Sequence, residues 1–154
     1  MGTYSVTRST SIAAAPGTVH ALVDDFHQWT QWSPWEDLDP DLRRSYSGPT
    51  SGKGARYVWK GNRKAGEGSM EITASAPDAV DVDLHFMKPF TNRSVVRLAL
   101  RQTTTGTDVT WTMTGETPGG LMGLFTKVVP MDKLVGKDFE KGLARLKAVA
   151  EQTR

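Results

Sequence analysis

The sequence predicts an α+β domain in which one antiparallel sheet is covered on one side by a long C-terminal helix. Two observations predict it. Between Leu42 and Glu116 apolar and polar residues alternate with a period of two, the pattern of strands with one face buried and one in water. From Met131 to about Gln152 the period lengthens to that of a helix, with Leu134, Val135, Phe139, Gly142, Leu143, Leu146, Val149 and Ala150 on one stripe. A sheet with a single apolar face must bury it against a second layer, and this helix is the layer available.

Each element has its own signature. Residues 4–12 are rich in Thr, Ser and Val and read as a first strand. Pro16 then opens a short helix through Val19, Leu22, Val23 and Phe26, at a first-turn position where its missing N–H costs nothing. Three of the five tryptophans follow within seven residues, Trp29-Thr-Gln-Trp32-Ser-Pro-Trp35. Pro34 biases Ser33 away from helix, so this segment is at best a broken turn or two. The alternating region contains Tyr57 and Trp59; Met70, Ile72 and Ala74; and Val80, Val82, Leu84 and Phe86. It continues with Val96, Leu98 and Leu100, then Val109, Trp111 and Met113. Breaks at Gly61-Asn62, Ala76-Pro77-Asp78, Lys88-Pro89 and Thr105-Gly106 supply short connections. On the polar face Asp81 and Asp83 fall one strand away from Arg97 and Arg101, which suits cross-strand ion pairs on a solvated surface.

Composition narrows function by exclusion. A chain of 154 residues is expected to be one domain, long enough to remove about 70% of its unfolded surface from water. Its 19 basic and 17 acidic residues give a formal charge of +2 and are not gathered into one block, so nothing points to nucleic acid. The absence of cysteine excludes disulfides, thiolate metal sites and cysteine nucleophiles. No stretch approaches the ~18 apolar residues of a membrane span. Residues Met1 to Arg8 lack the apolar run of a signal peptide, and Val6 stands where a myristoylation motif requires Ser or Thr. The expectation is a soluble cytoplasmic protein without a cofactor.

Motifs for chemistry are scarce. His20 and His27 are separated by seven positions, about two helical turns or ~10.5 Å, too far to hold one ion together. No metal site is expected. There is no Gly-x-Ser-x-Gly elbow, and no His–carboxylate constellation can be placed. Gly52-Lys-Gly54 and Gly66-Glu-Gly68 lack the spacing of a phosphate-binding loop and read as turns or bulges. The ionisable residues nearest the apolar set are Glu36, Glu67 and Asp132, with Tyr46 and Tyr57 as hydroxyl donors. Asp132 is placed to cap the long helix.

The apolar inventory says more. Tyr57, Trp59, Met70, Leu84, Phe86, Trp111 and Met113 on one sheet face offer more bulk than a single helix covers neatly. Gly136 and Gly142 notch that helix, each at a cost of about 1 kcal/mol relative to Ala. A curved sheet around a glycine-notched helix leaves room for a lined cavity; the alternative is that these residues pack as solid core. Residues Pro118 to Phe125 place three glycines among Leu121, Met122, Leu124 and Phe125. That segment suits either a mobile apolar gate or a static lid.

These residues carry a family resemblance. The run from Phe26 to Pro40, with Tyr57-Val-Trp-Lys-Gly-Asn62, Gly66-Glu-Gly-Ser-Met-Glu-Ile72, Val109 to Gly115 and Met131-Asp through Leu143, resembles the START-like, or SRPBCC, superfamily across essentially the whole chain. Its nearest group is the bacterial polyketide cyclase/dehydrase and lipid-transport proteins. The resemblance implies a helix-grip fold: about seven strands curved around the C-terminal helix, two short helices after the first strand, and a hydrophobic cavity between sheet and helix. It further implies that Trp32–Trp35, the strand faces, the 118–130 loop and the start of the long helix line or gate the pocket. The group has no uniform catalytic motif to carry over.

The expected ligand is a small hydrophobic molecule such as a lipid, fatty acyl or polyketide-like compound. The expected lining is Trp32, Trp35, Tyr57, Trp59, Met70, Leu84, Phe86, Trp111, Met113, Met131, Val135 and Phe139, with Leu121, Met122, Leu124 and Phe125 as the gate. An enzyme of the cyclase or dehydratase type, with Glu67 or Tyr57 as acid or base, is the second reading. A ligand-free interaction module in the manner of chaperone activators is the third.

Overall fold

The computed structural model describes residues 3–35, 39–62, 66–88, 92–116 and 131–153, except for the side chains of 3, 88, 92, 116, 131–134 and 153. Its strands are β1 (Thr3–Ile12), β2 (Arg43–Ser47), β3 (Arg56–Lys60), β4 (Glu67–Ala76), β5 (Ala79–Lys88), β6 (Asn92–Gln102) and β7 (Thr107–Glu116). They form one antiparallel sheet in the order β1-β7-β6-β5-β4-β3-β2. Strands β2 to β7 are therefore a meander, and β1 adds to the edge beside β7. The chain leaves the sheet at one edge and re-enters it at the other. Residues 13–42 must make that crossing, and they carry α1 (Pro16–Val23), α2 (Phe26–Trp29) and the tryptophan segment. A third helix, α3 (Met131–Thr153), runs along β1 and against α1. A curved open sheet gripping a C-terminal helix is the helix-grip architecture that the sequence led us to expect.

The crossing is shaped by its termini. The helix expected to continue to Phe26 stops at Val23, and α2 begins anew after Asp25, whose carboxylate accepts a 2.9 Å hydrogen bond from the His27 N–H. An Asp N-cap offsets orphan donors of the new helix. The last carbonyls of α1 are met from the tryptophan segment. Trp32 Nε1 donates to the Leu22 carbonyl and Trp29 Nε1 to the Val23 carbonyl, each at 2.8 Å. Helix C-termini leave such carbonyls unsatisfied, so the two indoles close α1 as well as filling space.

On the concave side, Phe139, Leu143, Leu146 and Ala150 of α3 are buried with Val6 and Ile12 of β1 and with the inward residues of β5 to β7. Gly142 does not leave a gap. A Cβ there would lie 2.8 Å from Pro34 Cδ and 2.9 Å from Trp111 Cζ3, so the notch is occupied by the proline and tryptophan that seat against the helix. Gly136 is covered by the Arg8 guanidinium, whose Nε donates to Glu140 at 2.9 Å. Cavity space thus comes from the sheet side and not from the glycines of the helix.

The β4–β5 ladder shifts register between Ile72 and Ala74. Thr73 is the extra residue, and the expected inward sequence Met70, Ile72, Ala74 is broken there. Ala74 is exposed opposite Asp81, while half-buried Ser75 pairs with Val80. On the outer face Arg97 grips Asp81 through two hydrogen bonds of 2.7 and 3.2 Å. Arg101 turns instead to Asp108 of β7 at 2.6 Å, because the register sets Asp83 opposite Val95. Of the glycine pairs, Gly52, Gly54 and Gly66 sit in connections with φ of 77°, 94° and 68°, a region costly for residues with a Cβ, whereas Gly68 belongs to β4.

Candidate functional site

Between the crossing segment and the strands lies a cavity of about 160 Å³. One wall is Trp29, Ser33 and Trp35, closed below by Leu42. The facing wall is Tyr57 and Trp59 of β3, Met70 of β4, and Leu84 and Phe86 of β5. Val96 of β6, Trp111 and Met113 of β7 and Phe139 of α3 form its floor. Strand alternation explains the composition, because every second residue of adjacent strands points to the same face.

The rings form a continuous chain. Trp111 stacks on Phe139 with centroids 4.0 Å apart and planes within 5°. Trp32 and Trp35 meet Trp111 edge-on at 5.4 and 5.8 Å, and Trp29 contacts Trp32 at 4.6 Å. Phe26 bridges Trp29 to Tyr57 at 5.5 and 5.9 Å. Tyr57 stacks on Trp59, and Trp59 and Phe86 meet edge to face at 5.6 Å. Gly68 makes the last arrangement possible: it pairs with Trp59 across the β3–β4 ladder, and a Cβ on it would lie 2.5 Å from the indole. Offset and edge-on ring pairs of this kind are each worth about 0.5–1.5 kcal/mol beyond area burial.

Polar groups are few in this lining. Among the described residues that line it there is no Asp, Glu, Lys, Arg or His. Ser33 and Tyr57 bring hydroxyls, and the Ser33 Oγ accepts from the Trp35 N–H at 3.4 Å. Trp35 Nε1 donates to Asp138 at 3.3 Å. The Trp111 Nε1–H stands apart: among the described residues it is a buried donor with no hydrogen-bond partner.

The structure gathers Trp35, Tyr57, Trp59, Met70, Leu84, Phe86, Trp111, Met113 and Phe139 around this space. It does not bring Trp32 to it; that side chain is 0% exposed and its N–H is spent on α1. Val135 is half-buried against the core and not in the lining. The Met131 side chain, the expected gate residues Leu121, Met122, Leu124 and Phe125, Glu36, and the side chain of Asp132, expected to cap the helix, lie outside the described residues. Glu67 is half-buried but does not line the cavity, since β4 turns Gly68 and Met70 inward and Glu67 to the other side. Trp29, Ser33, Leu42 and Val96 are lining residues that the sequence reading passed over. Val96 was findable, because its alternation with Leu98 and Leu100 already set it inward. Whether Trp29 or Trp32 faced the cavity depended on where α1 ended, which the spacing does not fix.

Away from the cavity, His20 Nε2 lies 3.1 Å from Ser75 Oγ and its Nδ1 lies 3.6 Å from Asp24. Burial pushes the Asp24 carboxyl above its usual range, an effect the nearby His20 partly offsets. This His–carboxylate arrangement was not foreseen, since Ser75 reaches His20 only through the register shift at Thr73. None of the three lines the cavity. No three His, Asp or Glu side chains gather into a metal-binding group among the described residues, and no described helix is long and apolar enough to cross a membrane.

A curved sheet closed over a C-terminal helix, with an aromatic-walled space between them, defines a hydrophobic ligand-binding fold. The chain belongs to the family described as polyketide cyclase / dehydrase and lipid transport, whose model matches residues 3–151. No functionally curated protein matches it in sequence. Among solved structures it is similar to a protein of unknown function from Staphylococcus aureus, at 11% identity and a TM-score of 0.71, covering 99% of this chain and 96% of that one. A Mesorhizobium loti protein aligns at 15% identity and a TM-score of 0.70 over 98% and 99% of the two chains. Ara h 8.0201 aligns at 14% identity and a TM-score of 0.62 over 99% and 97%. At these identities the likeness is one of fold.

Proposed function

We propose that this protein binds and carries a small hydrophobic molecule, of lipid, fatty acyl or polyketide-like character, in the space between β3–β7 and the tryptophan segment. One observation carries the reading: rings from α2, β3, β5, β7 and α3, with Trp35, surround a common space, and none of its described lining residues is ionic. Such a lining gains from apolar burial and ring contact and offers little to a charged substrate. A cavity of about 150 Å³ with aliphatic and aromatic walls stays dry and holds a benzene ring. The space here is of that order, so it fits a ring-sized ligand or the ring-sized end of a longer one.

The test is organic extraction and mass spectrometry of the purified protein, followed by titration with fatty acids and aromatic polyketides using tryptophan fluorescence. Saturable binding that disappears in Met70→Trp, with the fold retained by circular dichroism, supports the reading. Absence of both a co-purifying ligand and saturable binding overturns it.

The cyclase or dehydratase reading is favoured by one feature, the presence of Tyr57, which bears a hydroxyl, among the lining residues. Acid–base work commonly uses a second group, and Glu67 does not reach the lining. Turnover of a polyketide-like substrate that is abolished in Tyr57→Phe, with binding intact, would establish it.

A further inference from the structure

The cavity approaches solvent through part of its lining only. Leu42, Trp35, Met70 and Phe86 are half-buried, whereas Tyr57, Trp59 and Leu84 are buried. Leu42 directly precedes β2, the strand at one edge of the sheet. Residues of β2 alternate between the two faces, and the β2–β3 register fixes which are inward. Arg44 lies opposite Trp59, and Tyr46 lies opposite Tyr57, whose ring it meets at 5.3 Å. Directly opposed residues of an antiparallel pair share a face, with Cβ atoms about 5 Å apart. Arg44 therefore stands on the concave face, between Leu42 and Tyr46 and beside the Trp59 wall of the cavity. It is exposed and is not itself a lining residue, so its charge stays in water at the rim. Arg43 takes the opposite face, across from exposed Lys60. Charge on an edge strand discourages pairing with other chains, a purpose either arginine meets. It does not require one on the face that carries the apolar cavity.

The geometry points to Arg44 as the head-group site of the cavity, receiving the carboxylate of an amphiphilic ligand whose ring-sized apolar end fills the space beside Trp59 and Leu42. This rests on the reading that the cavity takes an apolar ligand, and it selects monoanionic acids among such ligands. The division follows from cost. A charge carried into the apolar lining is expensive. One held at an exposed rim keeps much of its water and gains a guanidinium, which binds a planar carboxylate through two parallel bonds. A guanidinium carries five N–H donors, so the contact Arg44 makes in the free protein leaves others for a ligand. The cavity, about 160 Å³, holds little more than one ring, so the rest of a longer acid lies outside it.

Phenylbutyrate and phenylbutanol, and the longer phenylhexanoate and phenylhexanol, are matched in their apolar parts and differ in the charged head. All are titrated at low salt into the wild-type protein, Arg44→Gln, Arg44→Lys and Arg43→Gln. The preference for acid over alcohol is expected to fall by about fivefold in Arg44→Gln, the upper worth of an exposed ion pair. It is expected to be partly retained in Arg44→Lys and unchanged in Arg43→Gln. Arg43 and Arg44 carry the same charge on adjacent residues, so a loss confined to Arg44 separates a contact from the general attraction of a basic edge. Added salt is expected to weaken binding of the acids and not of the alcohols. In the wild-type protein the Arg44 Nε–H resonance is expected to shift with the acids and not with the alcohols, a measurement that does not require any variant to fold. If none of the probes binds saturably, the apolar-cavity reading fails and this proposal with it. If they bind, but the preference for acid is the same in Arg44→Gln as in the wild-type protein, or falls equally in Arg43→Gln, the cavity reading stands and the proposal is overturned.

Discussion

The two walls of the cavity are built from similar aromatic bulk and held in different ways. On the crossing segment, Trp29 of the wall and Trp32, which packs on Trp29 without reaching the cavity, are almost fully buried, and each N–H is tied to the end of α1. Across the cavity, Met70 and Phe86 are only half-buried and rest on strand neighbours through side-chain contact. The first wall is part of what makes the chain fold, whereas the second, in which Tyr57, Trp59 and Leu84 are also buried, can yield at Met70 and Phe86. The same residue types thus serve as structure on one side and as an adaptable surface on the other. Burial together with the destination of each polar atom tells them apart.

The largest expected effect falls on Trp32, which packs against the fixed wall. Trp32→Ala should cost about 3–5 kcal/mol of stability in urea denaturation, the range for deleting a buried aromatic side chain, and it also orphans the Leu22 carbonyl. Met70→Ala should cost only about 1 kcal/mol, because a half-buried side chain forfeits less than the 2–5 kcal/mol of a fully buried one. Equal losses in the two variants would erase the distinction between the walls.

A smaller effect tests how the fixed wall meets the helix. Gly142→Ala gains about 1 kcal/mol in helix propensity, but its Cβ would strike Pro34 and Trp111, and overpacking of this kind costs about 1–3 kcal/mol. We expect net destabilisation and an altered tryptophan fluorescence. Gly17→Ala, in α1 with nothing near its added carbon, is the control and should be neutral or stabilising.

The smallest effects are electrostatic, and they differ in sign between the crossing and the outer face of the sheet. Hydrogen bonds from Ser11 and Arg101 hold the Asp108 carboxyl below the usual carboxylate value of 3.8. Its contribution is therefore present above that value and lost as pH falls through the lowered folded pKa. Burial raises the Asp24 carboxyl above 3.8, so its contribution is present below that value and lost as pH rises through the raised folded pKa. Stability against pH for Asp108→Asn should lose the acid-side decline, and Asp24→Asn should remove a decline in the opposite direction. The same sign of change in both variants would contradict these assignments.

Much of the fold was legible because period and punctuation are local. Alternation marked the strands from Tyr57 to Met113, and helical spacing marked Phe139, Leu143 and Leu146. Errors arose where one residue changes the phase. The extra residue at Thr73 exposes Ala74 and sends Ser75 toward His20, and no spacing rule announces a bulge. The Asp24-Asp25 break ended α1 early enough for Trp32 to become its cap and Trp29 to face the cavity. Both outcomes depend on hydrogen bonds between residues whose separation in space the sequence does not state.

What the sequence by itself determined is the two-layer α+β plan, the family, and the chemical character of the interior: aromatic, free of cysteine and poor in ionic groups. The plan and the interior's character follow from composition and periodicity, which act residue by residue, and the family from the resemblance of its motifs. The tertiary structure decided which rings wall the cavity, which glycine is filled, and which indole donor is left over. Those depend on where the crossing segment lands on the sheet, and that is fixed by packing among residues as distant as Trp32, Trp111 and Gly142. Close packing is a property of the assembled layers, so only the folded chain assigns each tryptophan its role.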